Sequence, residues 1–176
     1  TEFVIALISD CCGFEFKYPE IKEDVEHIQI PAQKGWADLM SEKIKFVTSS
    51  NQQPKLIFPG AFNPMHDGHI AMSELANKEL SEEVFFEICI QNVDKPPLSY
   101  HQIKKTIDQF TDSKNWVLTK AGKFSDKAKL FPNSTFIIGA DTLVRIFDER
   151  FYASRREMME EFEIFNANNN NFLVFG

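Results

Sequence analysis

The stretch that most constrains the fold lies at residues 55–75, KLIFPGAFNPMHDGHIAMSEL. A short apolar run leads into a turn rich in Gly, Asn and Pro, and the apolar residues that follow are spaced as on one face of a helix. His66 and His69 stand where the strand would pass to the helix. Open α/β sheets bind ligands at such points, and the free N–H groups of a helix start favour phosphate. The stretch therefore predicts a phosphate site that both imidazoles can face.

The rest of the chain repeats the order of strand and then helix. Further strands are predicted at 84–90, 116–119, 135–138 and 172–175, and helices at 99–110, 125–131, 142–147 and 155–165. Ser99 and Asp141 are the predicted N-caps of two of these helices. Repeated strand–helix order predicts a parallel sheet with right-handed crossovers, a Rossmann-like α/β fold with helices on both faces.

The first 53 residues have a different texture and are predicted to form a small N-terminal extension. They offer a plausible strand at 3–8, a helical turn at 36–40 and a strand at 44–47. A polar segment that ends at Pro54 marks the boundary, so residues 54–176 form the predicted main domain. Because the chain starts at Thr and ends in an apolar run, we expect it to be a piece of a longer protein.

Charge and cysteine content narrow the classes of function. A formal net charge of -7 argues against a broad nucleic-acid surface, which needs a basic footprint, but it allows a small cationic pocket. Three cysteines cannot form a disulfide framework, so we expect a reducing, cytoplasmic setting. No apolar run reaches membrane-spanning length, so no membrane association is expected.

Two motifs resemble a known family. GAFNPMHDGH, residues 60–69, resembles the first signature of the nucleotidyltransferases with a His-x-Gly-His motif, and its Phe-Asn-Pro is most similar to the nicotinamide and nicotinate mononucleotide adenylyltransferases. FIIGADT, residues 136–142, resembles a second stretch of the same enzymes. The N-terminal extension resembles, in order and texture, the end of a CinA-like domain.

The resemblance implies a reaction and its partners. AMP would pass from ATP, or another nucleoside triphosphate, to a phosphorylated acceptor such as nicotinamide or nicotinate mononucleotide, and pyrophosphate would leave. Mg²⁺ would be carried by the triphosphate, with no protein metal ligands. No nucleic acid or membrane partner is implied, and a homo-oligomer is left open.

The resemblance also assigns site residues. His66, His69 and Lys95 carry the catalytic roles. The nucleotide-binding residues, whose backbone or side chains would line the nucleotide, are Gly60, Ala61, Phe62, Gly68, Gly139, Ala140 and Asp141. In particular, the amides of Gly60, Ala61 and Phe62 would lie beneath phosphate. Lys104 and Lys105 stand on a helix where these adenylyltransferases often turn an arginine inward, and that helix has no arginine here.

Plainer interpretations stay open for several of these residues. The two histidines can be solvent-facing residues of a helix start, and a zinc site lacks a third ligand at a familiar spacing. Lys95 can be an ordinary loop lysine, and Asp141 only a helix cap.

One family feature has no counterpart in the sequence. This is the second signature, a Ser-Ser/Thr-x-x-Arg helix start after the last core strand: either the sequence stops before it, or the protein lacks it. Two rival functions stay open: cytidylyl transfer to a phosphorylated alcohol, which the same fold supports, and a non-catalytic nucleotide-binding domain, which the missing signature and the CinA-like extension make plausible.

Overall fold

The computed structural model describes residues 2–15, 31–91, 96–110 and 114–176. The chain divides into two compact units, Thr1–Ile30 and Pro31–Gly176. In the first unit, helix α1 covers Glu2–Cys11. The strand predicted at 3–8 is therefore wrong, since a short apolar run has the same periodicity in a buried strand and in a helix.

The second unit contains a six-stranded sheet and its helices. The strands are β1 (Phe46–Thr48), β2 (Leu56–Pro59), β3 (Val84–Cys89), β4 (Asn115–Thr119), β5 (Thr135–Gly139) and β6 (Asn171–Phe175). The helices are α2 (Lys34–Met40), α3 (Asp67–Leu80), α4 (Tyr100–Ile107), α5 (Phe124–Leu130), α6 (Ala140–Ile146) and α7 (Arg155–Ala167), with a 3₁₀ turn at Glu149–Phe151.

The strand order places β2, the strand that leads to His66 and His69, at the centre of the sheet. The order is β1-β4-β3-β2-β5-β6, and all neighbours are parallel except β1, which pairs antiparallel with β4 at the edge. The chain builds outward from β2 to β4 on one side, and then crosses to β5 and β6 on the other. The sheet order thus reverses between β2 and β5, and this is the topological switch point where such sheets bind ligands.

Alternating residues of the central strands bury both faces of the sheet. Leu56 and Phe58 of β2 lie in a core with α2, α3 and α4, whereas Ile57 lies in a second core with α5, α6 and α7. Both faces are covered, as parallel sheets require. The predicted Rossmann-like α/β fold is confirmed.

Two boundaries differ from the prediction. The unit that holds the sheet begins at Pro31, earlier than the predicted boundary at residue 54, because β1 joins the sheet through β4. Helix α6 begins directly at Ala140 after Gly139, so Asp141 lies in its first turn and is not the N-cap. Ser99 does cap α4, and its hydroxyl accepts the N–H of Gln102. Among the described residues, no helix has both the length and the apolarity needed to cross a membrane.

Candidate functional site

The histidine pair sits at the start of α3, just beyond the carboxyl end of the central strand β2. His66 is the N-cap and is exposed, and His69, in the first turn, is half-buried. Their rings stack with centroids 3.7 Å apart. The His69 ring also meets the edges of Phe58 and Phe62, at centroid distances of 5.8 and 5.1 Å, so the apolar core supports it from below.

A backbone hydrogen bond fixes the protonation pattern of His69. The N–H of His66 donates to Nδ1 of His69 over 3.3 Å. Since Nδ1 accepts, the neutral ring carries its proton on Nε2 and can offer that N–H to an oxygen atom. Desolvation, and secondly the neighbouring His66, lower the pKa of His69 below its ordinary value of 6.5. At pH 7 this ring is therefore a neutral donor.

Gly68 leaves room for the first histidine ring. A Cβ at Gly68 would lie 3.1 Å from Cε1 and Nδ1 of His66, closer than such contacts comfortably allow. The glycine therefore acts on the site by setting the position of His66. Whether it also lets a nucleotide approach stays a prediction.

The turn before the pair is built around Phe62. This residue adopts φ of 43°, in the left-handed region that is unusual for a non-glycine residue. Its ring is buried, 1% exposed, and meets the rings of Phe58, Phe86 and Phe110 at 5.5, 5.2 and 5.9 Å. The Phe62 side chain is thus part of the core, and only its backbone can take the predicted nucleotide-binding role.

Gly60 has a structural role that the sequence did not reveal. Its N–H donates to the carbonyl of Glu87 over 3.0 Å, which extends the β2–β3 ladder, so this amide is not the phosphate donor that we expected. A Cβ at Gly60 would lie 2.6 Å from Cζ of Phe62. The glycine is therefore required by the folding of the turn itself.

The second motif reaches the same end of the sheet. The ladder between β2 and β5 pairs Leu56 with Thr135 and Ile57 with Phe136, and the strands end at Pro59 and Gly139. Ala61, Ala140 and Asp141 are exposed on the segments that follow. Both motifs therefore border the switch point.

We call residues 60–65, which lead to His66, the histidine turn. A cavity of about 360 Å³ opens beside this turn, over the carboxyl end of β3. Gly60, Ala61 and Asn63 form one wall. The rest of the lining comes from β3 and α4 and the residues around them: Ile88, Cys89, Ile90, Pro96, Leu98, His101, Gln102, Lys105 and Thr106. The described lining contains no carboxylate, although the whole chain carries a net charge of -7.

The structure thus separates the predicted residues into two neighbouring places. Gly60 and Ala61 line the cavity, whereas His66, Gly68, His69 and residues 139–141 are absent from its described lining. Lys105 faces the cavity, but Lys104 is paired with Asp108 at 2.6 Å on the surface. Sequence reasoning missed His101 and Cys89, whose only signal was their position on or after a strand of the same sheet. Lys95 lies outside the described residues.

The charged side chains of the described residues form no metal centre of their own. In the ranges that the structure describes, no group of three His, Cys, Asp or Glu side chains is placed to hold an ion.

The reversed strand order, with the histidine pair at the end of the central strand, defines a Rossmann-like nucleotidyltransferase fold. A family model described as cytidylyltransferase-like matches residues 57–172, which is more than half of the chain. The chain therefore belongs to the cytidylyltransferase-like family, and this supports a nucleotidyltransferase type of function. A search of curated proteins finds no match.

Proposed function

We propose that this domain transfers a nucleoside monophosphate, with AMP from ATP as the leading case, to a phosphorylated acceptor such as nicotinamide or nicotinate mononucleotide. The observation that carries the proposal is the stacked pair His66 and His69 at the carboxyl end of β2, where His69 offers an Nε2–H. The likeness of GAFNPMHDGH and FIIGADT to the mononucleotide adenylyltransferases supports the choice of nucleotide and acceptor.

The proposed reaction is an in-line displacement at phosphorus. A phosphate oxygen of the acceptor forms a bond to the α-phosphorus, and the bond from that phosphorus to the bridging oxygen breaks, so pyrophosphate leaves with the electron pair. Such chemistry needs positioning and charge stabilisation and no covalent protein nucleophile. His69 donates to a phosphate oxygen as a neutral imidazole, and Mg²⁺, which arrives with the triphosphate, offsets part of the phosphate charge.

The cavity beside the histidine turn is the proposed acceptor site. His101 and Lys105 supply donors for a phosphate group, and Ile88, Ile90 and Leu98 supply apolar surface for a ring. Gly60, Ala61 and Asn63 join this cavity to the turn that carries the histidines. Residues 139–141 at the end of β5 are proposed to contact the nucleotide on the other side, with Asp141 towards ribose or base.

Cytidylyl transfer to a phosphorylated alcohol is the second candidate, and the description of the matching family favours it. A nucleotide-binding domain without turnover is the third. The catalytic role of Lys95, a cytoplasmic location, homo-oligomer formation and the CinA-like origin of the N-terminal part stay predictions.

The test is turnover by the full chain. The protein is incubated with Mg²⁺, each of the four common ribonucleoside triphosphates, and nicotinamide mononucleotide, nicotinate mononucleotide or phosphocholine, and pyrophosphate release is followed. Pyrophosphate with ATP and a mononucleotide supports the leading proposal, and pyrophosphate with CTP and phosphocholine supports the second. Binding of a triphosphate without pyrophosphate from any pair leaves only the binding domain.

A pair of variants on α3 connects turnover to the site. His69→Ala is expected to lower kcat by about 10²- to 10³-fold, since it removes a pre-aligned donor to the reacting phosphate. Lys78→Ala, in the last turn of the same helix and exposed, is the matched control and is expected to keep wild-type turnover. Equal activity of the two variants would remove His69 from the mechanism.

A further inference from the structure

The side chain of Gln109, in the turn that directly follows α4, holds both ends of the turn that leads to the histidine pair. Nε2 of Gln109 donates to the carbonyl oxygen of Phe62 over 2.9 Å. The N–H of Met65 donates to Oε1 of the same side chain over 2.8 Å. One amide group therefore spans Asn63 and Pro64 from the turn after α4, with its donor and its acceptor both used. Nε2 also donates to the carbonyl oxygen of Thr106 over 3.3 Å, which ties this side chain to the end of α4.

These two bonds act on a conformation that the sequence would not adopt by itself. Phe62 has φ of 43°, which persists only where the surroundings fix it. The ring is fixed by the core, including Phe110, the neighbour of Gln109, whose ring lies 5.9 Å from that of Phe62. Gln109 fixes the carbonyl of Phe62, so the segment that follows α4 holds both the side chain and the backbone at this point.

The link to the imidazoles runs through one residue, Met65. Met65 directly precedes His66, and the N–H of His66 is the donor that holds Nδ1 of His69 as an acceptor. If the bond from Met65 to Gln109 is lost, that donor can move, and the proton of His69 is no longer confined to Nε2. Gln109 itself is absent from the described lining of the acceptor cavity, so its influence passes through the turn.

We propose that Gln109 is a positioning residue. Its hydrogen bonds to the backbone of Phe62 and Met65 keep His69 in the tautomer that offers Nε2–H to phosphate. That the group which accepts this N–H is a phosphate rests on the proposed function. The tautomer of His69 itself can be observed without turnover.

Two variants separate the two hydrogen bonds. Gln109→Met keeps length and volume but removes both bonds to the turn, together with the longer contact to Thr106. Gln109→Glu keeps an acceptor for the N–H of Met65 and loses the donor to Phe62. Asp108→Asn is the control: Asp108 is the neighbouring residue, is exposed, and among the described residues its side chain pairs with Lys104 on the surface.

The first measurement is the ¹H–¹⁵N correlation spectrum of the imidazole nitrogens of the full, labelled chain, in which the two tautomers give distinct patterns. Wild type and Asp108→Asn are expected to show His69 protonated on Nε2. Gln109→Met is expected to show both tautomers, and Gln109→Glu to lie between, because it still accepts from Met65. Unchanged His69 signals in a folded Gln109→Met would overturn the proposal, and so would failure of both variants to fold, which would make Gln109 a determinant of stability alone.

The second measurement is kinetic. With the substrate pair that wild type turns over, Gln109→Met is expected to lower kcat by about 10- to 100-fold with little change in the KM of the acceptor, as a displaced reacting group would. A higher acceptor KM with wild-type kcat would contradict positioning of the histidines. If wild type turns over no pair, the proposed function fails, and the tautomer comparison still decides the role of Gln109.

Discussion

The ammonium nitrogen of Lys127 lies 2.7 Å from Oε2 of Glu87, and the two residues are only 4% and 1% exposed. Lys127 also donates to Oε1 of Glu87 at 2.8 Å and to the carbonyl of Ala121 at 2.7 Å. Thr119 donates its hydroxyl to Glu87 as well. The main chain of Glu87 accepts the N–H of Gly60, so this buried network ties α5, β3 and β4 to the start of the histidine turn.

The first prediction concerns this ion pair. Lys127→Met leaves the carboxylate of Glu87 buried without its cation, so the free energy of unfolding is expected to fall by about 3–5 kcal/mol. Lys129→Met is the control on the same helix, because Lys129 is exposed and lies 3.6 Å from an exposed Asp126. It is expected to change stability by about 0–1 kcal/mol. Urea unfolding measures the stability of both variants. Equal losses would show that the buried pair contributes no more to stability than an exposed pair.

The second prediction compares the two glycines at the switch point. The Cβ of Gly60→Ala would lie 2.6 Å from the buried Phe62 ring, so overpacking is expected to lower stability by about 1–3 kcal/mol. At Gly139 the nearest atom to an added Cβ is the carbonyl oxygen of Phe175 at 4.0 Å, and the backbone is ordinary. Gly139→Ala is therefore expected to cost less stability.

The Gly139→Ala variant also tests the nucleotide role of Gly139. If this residue borders the nucleotide, Gly139→Ala is expected to bind triphosphate more weakly while its urea midpoint stays close to that of wild type. Calorimetric titration with ATP measures the binding. An unchanged affinity for ATP in Gly139→Ala would place the nucleotide away from residue 139.

Most of the fold was predictable because local and global signals agree in the main domain. Apolar runs of strand length alternate with helix patterns, and that order by itself implies a parallel sheet. The 3–8 segment was misassigned since its apolar residues are continuous and carry no period that separates helix from strand. The predicted boundary at residue 54 leaves out β1, because its partner in the described sheet, β4, lies far along the chain.

The candidate site was predictable only where chain neighbours make it. His66 and His69 meet because they share a helix start, whereas the cavity forms only when α4 packs beside β3. The left-handed backbone of Phe62 and the contact with Gln109 depend on residues more than forty positions apart, and no local signal marks them. The sequence also could not show that the Gly60 amide belongs to the sheet.

The third prediction concerns acid sensitivity. The pKa of His69 is lowered in the folded state, by desolvation and then by His66, so the unfolded chain takes up this proton more readily. The contribution of His69 to stability is therefore present above pH 6.5, its ordinary pKa, and is lost as the pH falls towards and through its pKa in the folded state. His69→Gln keeps an acceptor for the N–H of His66 but does not titrate, so its stability is expected to fall less on acidification. Urea midpoints from about pH 8 to about pH 5, where imidazoles titrate, measure the difference, and parallel curves would contradict it.

The fourth prediction uses the three cysteines as reporters of the acceptor cavity. Cys89 lines that cavity, is partly buried, and its Sγ lies 3.1 Å from the carbonyl oxygen of Gln91. Burial raises the pKa of the Cys89 thiol, so it is expected to react with iodoacetamide more slowly than the exposed Cys11 and Cys12. If the acceptor occupies the cavity, saturating acceptor is expected to slow alkylation of Cys89 further and to leave Cys11 and Cys12 unchanged. Peptide mass spectrometry follows each site, with nicotinamide mononucleotide and with any other acceptor that yields pyrophosphate. Alkylation of Cys89 at an unchanged rate, under an acceptor that the protein turns over, would place the acceptor outside the cavity, because a ligand seated between β3 and α4 must shield this thiol.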